Sequence, residues 1–356
     1  MKTSSTIKAL ESISIDYRQP ILEVLKKMDA IGRKLLIVTK ENHFLSLVSI
    51  GDIQRAIIKN VALETPVAQI LRDRIIVATE LESLEEIKEK VFKYRMEFIP
   101  VFDSSDQLIQ VYFWEDFYKE NLPPAKQEIN IPVVIMAGGK GTRLRPLTNV
   151  IPKPLIPISE KTIVEEIITR FYHYGCTRFK LSVNYKADLI KHYLKDFLKD
   201  KIEISYIHEE KPLGTAGSLY LLKDEIRETF FVSNCDILIE DDYQEIWSYH
   251  QKEQNELTIV AALKHYKIPY GTIETAEGGR LVSLQEKPEF SFKINSGLYV
   301  LEPHLLKEIP ENQFFHITDL IHAVLERGGK IGVFPVTEKS WRDIGIWDEY
   351  LKVLNP

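Results

Sequence analysis

Hydrophobic and polar positions follow the same order twice in residues 1–122, in halves of about sixty residues. In each half, apolar residues at helical spacing come first, two short apolar runs predict a strand hairpin, and a further stretch predicts a closing helix. The pattern predicts an α+β tandem pair of small domains, about 1–60 and 61–122, with Asp52 as the N-cap of the first closing helix. The predicted elements lie at 20–28, 34–39, 44–49 and 51–58 in the first half, and at 83–94, 99–103, 108–113 and 114–118 in the second.

Strand and helix patterns alternate over residues 131–356, after a linker at 123–130 in which two prolines prevent a continuous helix. This alternation predicts an α/β, Rossmann-like domain with a mostly parallel sheet and right-handed crossovers. Gly175 is predicted to close the first helix of the domain. Strands are predicted at 133–136, 179–184, 202–207, 230–233, 257–263, 281–284, 297–301 and 331–336, and helices at 162–174, 187–198 and 317–326.

The first strand of the second domain, Val133–Met136, runs directly into a glycine-rich basic turn. The turn reads Ala137-Gly138-Gly139-Lys140-Gly141-Thr142-Arg143, and its glycines let backbone N–H groups approach an anion closely. A strand followed by such a turn is how α/β proteins hold nucleotide phosphates. The lysine is not followed by Ser or Thr, which excludes a Walker motif, and Leu144 replaces the third glycine of a dinucleotide motif.

Composition and charge narrow the range of partners. The 356 residues carry a net charge of −6, which argues against a nucleic-acid-binding surface, and 44% hydrophobic content is ordinary for a globular protein. No apolar run reaches the length of a membrane span, and the N-terminal segment lacks the apolar centre of a signal peptide. Two cysteines far apart imply neither a disulfide framework nor a zinc site, so we expect a cytoplasmic protein.

The glycine turn and the sequence after it, G-G-x-G-T-R-L-x-P-L-T followed by Pro152-Lys153-Pro154, resemble the signature of the sugar-1-phosphate nucleotidyltransferases. The resemblance implies that an oxygen of a sugar 1-phosphate attacks the α-phosphorus of a nucleoside triphosphate and that pyrophosphate leaves. Because that oxygen is already ionised at neutral pH, the reaction needs positioning, positive charge and a metal ion rather than a general base.

Four residues receive catalytic roles from this resemblance. Arg143 would hold the β- and γ-phosphates, and Lys153, fixed between two prolines, would also contact the phosphates. Asp236 follows a predicted buried strand, at the end where ligands of parallel sheets bind. Asp236 and Asp343, the latter in W-R-D-I-G, resemble the family's two magnesium aspartates, and two carboxylates with phosphate oxygens suit Mg²⁺. Asn234-Cys235 before Asp236 departs from the glycine that the family often has there.

The run E-E-K-P-L-G-T-A-G, residues 209–217, resembles the nucleobase loop of mannose-1-phosphate guanylyltransferases. In related uridylyl- and thymidylyltransferases a glutamine commonly occupies the position of Glu209. A carboxylate accepts hydrogen bonds and donates none, which matches the adjacent N1–H and N2–H₂ donors of guanine better than uracil. GTP is therefore favoured; the alternatives are UTP or dTTP as the substrate, and a Glu209 side chain that faces solvent. The implied nucleotide-binding residues are Ala137, Gly138, Gly139, Gly141, Thr142, Arg143, Glu209, Pro212, Gly214 and Thr215.

A third set of motifs resembles the sugar-phosphate side of the family's site. Glu286-Lys287-Pro288 resembles an E-K-P motif, in which Lys287 would pair with the sugar phosphate and Glu286 would accept hydrogen bonds from sugar hydroxyls. Gly271 would approach the sugar through its backbone. Asn295 would be a sugar ligand or would stabilise a turn.

The repeated first region resembles a pair of CBS domains, a module that senses adenosine nucleotides. Ser49-Ile50-Gly51-Asp52 matches the family's Ser/Thr-x-x-Asp step, whereas Phe113 replaces the hydroxyl residue of the second half and leaves only Asp116. The resemblance implies one competent nucleotide site, or none and a scaffold role. Together the two regions resemble CBS-fused sugar nucleotidyltransferases of bacterial surface-glycan pathways, one group of which activates glucosamine 1-phosphate with GTP on the route to legionaminic acid.

These resemblances predict a magnesium-dependent enzyme that joins GTP to glucosamine 1-phosphate or a related hexose or heptose 1-phosphate. Regulation through the CBS pair and a homo-oligomeric assembly are also expected. The alternative of another class is a catalytically inactive, nucleotide-sensing subunit. The presence together of Arg143, Lys153, Asp236, Lys287 and Asp343 favours the enzyme, because an inactive relative is expected to have lost at least one of them.

Overall fold

The computed structural model describes residues 12–354 except 42, 95, 106, 114–116 and 118–127. The chain divides into two compact units, Met1–Ala125 and Lys126–Pro356. In the described ranges, none of the helices has the length and apolar content that a membrane crossing requires.

In its described residues, the first unit contains two sheets of three strands each. In chain order its elements are β1 (Ser14–Asp16), α1 (Ile21–Ile31), β2 (Leu35–Lys40), β3 (His43–Ser49), α2 (Ile50–Ile58), β4 (Ala78–Thr79), α3 (Leu84–Lys93), β5 (Phe98–Phe102) and β6 (Leu108–Phe113). In each sheet a short first strand pairs parallel with the second, which forms an antiparallel hairpin with the third. Both halves contain the predicted helix and hairpin, and each adds a parallel strand too short for hydrophobic spacing to indicate. The closing helix predicted at 114–118 lies outside the described residues, apart from Phe117.

The closing helix of the first half, α2, begins differently from the prediction. Ser49, in an extended conformation, is the N-cap, and Asp52 is the third residue of the helix. The Ser49 hydroxyl accepts from the Asp52 N–H, and the Asp52 carboxylate accepts from the Ser49 N–H at 2.9 Å. The prediction that Asp52 is the N-cap is wrong, because the reciprocal pair of a capping box satisfies two free N–H groups when the serine comes first.

The second unit contains the strands and helices that follow residue 127 in the described part of the chain. Its strands are β7 (Val133–Met136), β8 (Pro157–Ile158), β9 (Lys161–Thr162), β10 (Arg178–Val183), β11 (Glu203–His208), β12 (Phe230–Asn234), β13 (Ile237–Ile239), β14 (Leu257–Lys267), β15 (Thr272–Thr275), β16 (Leu281–Gln285), β17 (Glu289–Leu301), β18 (Ile331–Val336) and β19 (Trp341–Asp343). Its helices are α4 (Ile163–His173), α5 (Ala187–Leu194), α6 (Tyr243–Glu253), α7 (Ile317–Glu326) and α8 (Trp347–Leu354).

A sheet of seven strands, in the order β11-β10-β7-β12-β17-β14-β18, forms the centre of this unit. Neighbouring strands run parallel except at β17, which is antiparallel to both β12 and β14. The predicted mostly parallel sheet is confirmed. Strand β7 is buried at all four positions, which accounts for its continuous apolar run. The carboxyl ends of β10, β7 and β12 meet at one edge of the sheet, where the glycine turn begins.

Helix α4 illustrates how local sequence produces an element that covers this sheet. Thr162 and Glu165 form a capping box at its start, and Gly175 follows its end with a positive φ, as predicted. Its apolar residues recur at helical spacing and are buried, so the helix packs with that face inward. The buried residues are Ile163, Val164, Ile167, Ile168 and Phe171.

Four predicted elements differ in extent or place. Helix α5 ends at Leu194 rather than at residue 198, and Leu198 has a positive φ of 46° that a helix cannot accommodate. Strands β14 and β17 extend beyond the apolar runs that predicted them, because their ladder continues into exposed sequence as far as the Lys267–Glu289 pair. Strand β16 lies outside the central sheet and pairs with β15 in an exposed hairpin.

Candidate active site

The glycine turn that follows β7 packs against the segment that carries Lys153. Gly141 has a φ of +63°, and a Cβ atom there would lie 2.8 Å from the Thr148 methyl carbon and 3.0 Å from the Lys153 Cβ. The Thr148 hydroxyl donates to the Gly141 carbonyl at 2.8 Å. Only glycine suits both this φ and this close approach, so the turn and Lys153 are placed together. The exposed residues of the turn are Gly139, Lys140, Thr142 and Arg143.

Lys153 lies in a short turn between Pro152 and Pro154, and its ammonium group forms a salt bridge with Asp236. The lysine side chain is only 10% exposed, and Asp236 is buried two residues after β12. Both charges lose hydration when such a pair is buried, so the pair is weak evidence for stability. Its position beside the glycine-rich basic turn, for which the sequence predicts phosphate binding, points to function instead.

The second predicted metal ligand, Asp343, is brought beside Asp236 by the antiparallel pairing of β13 with β19. Ile237 is the pairing partner of Asp343, and the Ile344 N–H donates to the Asp236 carbonyl at 2.9 Å. Burial raises the pKa of Asp343, and the negative charge of Asp236 raises it further. A carboxylate whose ionisation is disfavoured by a neighbouring negative charge belongs to an arrangement that a divalent cation would stabilise.

Gly345, which the motif comparison did not assign, leaves the space in which these groups converge. A Cβ atom at this position would lie 2.5 Å from Asp236 Oδ2, 2.7 Å from Lys153 Nζ and 2.8 Å from Asp343 Oδ1. The Gly345 N–H also donates to Asp343 Oδ1 at 2.8 Å. The available signal was the glycine that ends W-R-D-I-G, two residues after the aspartate.

Arg143 reaches from the glycine turn to both carboxylates. Its guanidinium lies 3.5 Å from Asp236 Oδ2 and 3.8 Å from Asp343 Oδ2. The side chain is 58% exposed, so these long contacts are weak and can be exchanged for a phosphate at little cost. The four predicted catalytic residues therefore lie together: Arg143, Lys153, Asp236 and Asp343.

Glu209 follows β11 and lies against the start of the glycine turn. The residue is 4% exposed, and its Oε1 would be 2.6 Å from a Cβ atom at Gly138. The Ser182 hydroxyl donates to Oε1 at 2.5 Å, and the Leu213 N–H donates to Oε2 at 3.1 Å. The alternative in which Glu209 faces solvent is therefore wrong. Ser182 was not found from the sequence, because a serine at the end of a buried strand carries no motif.

The rest of the predicted nucleobase loop packs against, and hydrogen-bonds with, the residues at the start of α7. A Cβ atom at Gly214 would lie 2.5 Å from the Phe315 carbonyl oxygen, and Thr215 Oγ1 accepts from the Ile317 N–H at 3.0 Å. Thr215 thus has a structural contact in addition to its predicted nucleotide role. Of the other predicted residues, Ala137 is buried at the start of the glycine turn and Pro212 is exposed.

Two of the predicted sugar-phosphate residues meet directly. A Cβ atom at Gly271 would lie 2.9 Å from Glu286 Oε2, and Lys287 follows with a φ of +45°. Asn295 is exposed within β17, beside an irregularity of the strand pairing, and its Oδ1 accepts from the Gly297 N–H at 3.2 Å, so its local hydrogen bond lies in a strand and not in the turn expected as its alternative. A direct contact of Asn295 with sugar stays a prediction.

In the first unit, Ser49 and Asp52 lie together, whereas Asp116 lies outside the described residues. Asp52 accepts from the Ser49 hydroxyl at 2.7 Å and forms ion pairs with Arg55, at 2.5 Å, and with Arg72. Burial by itself would raise the pKa of Asp52, but the hydrogen bonds from Arg72 and Ser49 outweigh it and place the pKa below its ordinary value. The Asp52 carboxylate is thus already engaged by two half-exposed guanidinium groups.

Another group of side chains that could bind a metal is Glu256, His304 and Glu308. Arg327 forms ion pairs with Glu256 at 2.5 Å and with Glu308 at 2.7 Å. The hydrogen bond from Arg327 is also the main cause that lowers the pKa of Glu256 to about 2. Because the guanidinium already supplies the positive charge, we assign no metal to this group.

A glycine-rich basic turn, a buried lysine and a pair of aspartates thus lie together at the edge of the sheet of this α/β domain. Residues 132–355 match the family described as nucleotidyl transferase. The chain belongs to this family.

The chain is also similar to curated relatives and solved structures. It is 36% identical to mannose-1-phosphate guanyltransferase beta-B of Xenopus laevis over 225 residues, 61% of this chain and 62% of the relative. It is 36% identical to the mannose-1-phosphate guanylyltransferase catalytic subunit beta of Dictyostelium discoideum over 182 residues, 49% of this chain and 51% of the relative. The chain thus spans between half and two thirds of the length of these relatives.

Among solved structures, HddC from Yersinia pseudotuberculosis has a TM-score of 0.51 and 30% sequence identity, over 63% of this chain and 98% of that chain. A structure of HddC complexed with GMP-PN has a TM-score of 0.50 and 28% identity over the same shares. The share of this chain that each structure covers is about as long as residues 132–355.

Proposed function

We propose that this protein transfers the guanylyl group of GTP to a sugar 1-phosphate and releases pyrophosphate. The observation that carries the proposal is the convergence of Lys153, Asp236 and Asp343 around Gly345. The buried Glu209 against the glycine turn supports guanine as the base. The guanylyltransferase names of the relatives and the GMP-PN bound to the Yersinia protein support the same substrate.

In the proposed reaction an oxygen of the sugar phosphate forms a bond to the α-phosphorus of GTP. The bond from that phosphorus to the bridging oxygen of the β-phosphate breaks, and pyrophosphate leaves with the electron pair. Arg143 would exchange its long contacts with the aspartates for the β- and γ-phosphates and stabilise the leaving charge. Lys153 would supply a fixed positive charge from the buried side. No residue has to remove a proton, because the attacking oxygen is already ionised.

Asp236 and Asp343 would hold a magnesium ion. Their adjacent placement, the raised pKa of Asp343 and the space that Gly345 leaves beside both carboxylates fit a divalent cation. When bound, the ion would supply positive charge to the phosphate oxygens.

For the sugar, we propose a hexose or heptose 1-phosphate, with mannose 1-phosphate and glucosamine 1-phosphate as the first candidates. The names of the relatives support mannose 1-phosphate, and the resemblance in domain arrangement supports glucosamine 1-phosphate. Glu286, which meets Gly271, would accept hydrogen bonds from sugar hydroxyls, and the exposed Lys287 would bind the sugar phosphate.

For the first unit, we propose a regulatory CBS pair that binds an adenine nucleotide at Ser49 and Asp52, with Asp116 as the residue left in the second half. The repeated topology and the two arginines beside Asp52 support this proposal. A ribose hydroxyl at Asp52 would displace a guanidinium, which would then be free to bind phosphate. Calorimetry with AMP and ATP tests it, and unchanged binding by the D52A variant would contradict it. CBS pairs often associate, so we also propose a homo-oligomer, to be measured by light scattering.

Pyrophosphate release with magnesium tests the catalytic proposal. GTP, UTP, dTTP, CTP and ATP are each combined with a panel of sugar 1-phosphates. Turnover with GTP is expected, and the best sugar identifies the acceptor. Turnover with UTP or dTTP instead of GTP would support the proposed nucleotidyltransferase activity but contradict guanine as its base. No turnover with any pair, by folded protein, would favour the nucleotide-sensing subunit.

A further inference from the structure

Two hydrogen-bond donors from different elements hold the carboxylate of Glu209. Ser182, in β10, donates to Oε1 at 2.5 Å, and the Leu213 N–H of the nucleobase loop donates to Oε2 at 3.1 Å. Ser182 is fully buried and pairs across the sheet with Met136, the last residue before the glycine turn. Asn184, just beyond β10, donates to the Glu209 carbonyl at 2.5 Å. The residue is therefore fixed at both its side chain and its backbone.

These donors determine what the carboxylate can still accept. Each oxygen of an ionised carboxylate has two acceptor positions. Among the residues that the structure describes, one donor reaches each oxygen of Glu209, which leaves one position on each. Two adjacent free acceptors match the N1–H and N2–H₂ groups of guanine. Without the Ser182 hydroxyl, Oε1 loses its fixed partner and the carboxylate can rotate away from this arrangement.

We propose that Ser182 is a positioning residue for base specificity: it fixes Glu209 so that its two free acceptors face the two donors of guanine. This inference rests on the proposed use of GTP. Ser182 itself is completely buried and acts only through Glu209.

The test compares GTP with inosine triphosphate, which lacks the 2-amino group of guanine, in the full-length protein. The quantity measured is the ratio of kcat/KM for the two nucleotides. A hydrogen bond to a charged group corresponds to roughly 10- to 100-fold in an equilibrium constant, so S182A is expected to lose at least about 10-fold of its preference for GTP. The loss is expected mainly in KM for GTP, because the phosphates and catalytic residues are untouched.

Three variants sharpen the result. S233A removes a buried hydroxyl from the neighbouring region of the same sheet, where it donates to the Asn234 carbonyl at 3.0 Å, and is expected to keep the wild-type preference. In the E209Q background, adding S182A is expected to change the preference no further. S182C keeps a side chain of similar size that donates only weakly, so its preference for GTP is expected to lie between those of wild type and S182A. If S182A does not fold, the preference of S182C tests the role of Ser182.

The two proposals fail in different ways. A wild-type protein that does not use GTP would overturn the proposed function. A wild-type protein that prefers GTP over inosine triphosphate, with the same ratio in S182A or S182C, would overturn the role of Ser182 alone.

Discussion

Asp52 in the first unit and Asp236 in the second are both buried, and each lies against two cationic side chains. Asp52 faces Arg55 and Arg72, which are about half exposed, and it also completes a capping box with Ser49. One carboxylate is therefore surrounded by donors. Their hydrogen bonds outweigh the effect of burial and lower its pKa.

Asp236 has a different environment, because its neighbours include a second carboxylate. It pairs with the buried Lys153 and lies 3.5 Å from the exposed Arg143, but Asp343 shares the same space beside Gly345. Burial and the charge of Asp236 raise the pKa of Asp343. In the first unit, donors thus surround the buried aspartate, whereas in the second unit a second carboxylate adds negative charge that a cation would neutralise, as the proposed metal site requires.

The largest effect is expected from neutralising the two aspartates of the second unit. D236N and D343N should each lower magnesium-dependent turnover by at least about 1,000-fold, since each would remove a ligand and its charge from the proposed metal site. Pyrophosphate release measures turnover, and circular dichroism confirms folding. D348N, an exposed position in α8, serves as the matched control. Near-normal turnover in either aspartate variant would remove its metal role.

Variants of Lys153 and Arg143 should lose similar amounts of turnover but different amounts of unfolding free energy. Both K153M and R143A should lower turnover by about 100- to 1,000-fold, because each would remove a positive charge from the proposed phosphate site. K153M should also lose about 3 kcal/mol of unfolding free energy, since it leaves Asp236 buried without its ammonium partner. R143A should lose less than about 1 kcal/mol, because the side chain is 58% exposed. Urea unfolding distinguishes them, and equal stability losses would contradict the difference in burial.

A smaller effect is expected from breaking the capping box of α2. D52A should lower the unfolding free energy by about 1–2 kcal/mol, because it removes the acceptor for Ser49 and two arginines. Ser83 and Glu86 form an exposed arrangement of the same kind, in which Glu86 supplies the carboxylate. E86A should therefore lower the unfolding free energy by less than D52A does. Urea unfolding of the full chain measures both. A loss in D52A no larger than in E86A would show that burial adds nothing to this cap.

The smallest expected effect is the pH dependence of the stability that the Asp52 carboxylate contributes. Because the folded state lowers the pKa of Asp52 below its ordinary value of 3.8, ionised Asp52 stabilises the folded protein above that pH. This contribution should disappear as the pH falls from 3.8 through the lower folded pKa. The difference in unfolding free energy between wild type and D52N should therefore shrink over that range. A difference that stays constant down to pH 2 would contradict the lowered pKa.

Parts of the candidate site could be predicted from the sequence alone, because each of their motifs spans only a few neighbouring residues. The glycine turn, Pro152-Lys153-Pro154 and W-R-D-I-G each carry their residues at fixed spacing, and the structure brings Arg143, Lys153, Asp236 and Asp343 together. The cap of α2 was misplaced by three residues, because Ser and Asp are both good N-caps and only the backbone conformation distinguishes them. The burial of Glu209 was left open, since two adjacent glutamates in a loop look alike in sequence.

The amino-acid sequence by itself determined the strand-and-turn phosphate motif, the alternating α/β pattern and the repeat in residues 1–122, because apolar spacing and glycine placement act over a few neighbouring residues. Only the tertiary structure decided that Gly345 lies against Asp236 and that Ser182 holds Glu209. These contacts join residues from different strands. Their distances are set by the pairing of β13 with β19 and by the parallel packing of β10 between β7 and β11, which no single segment specifies.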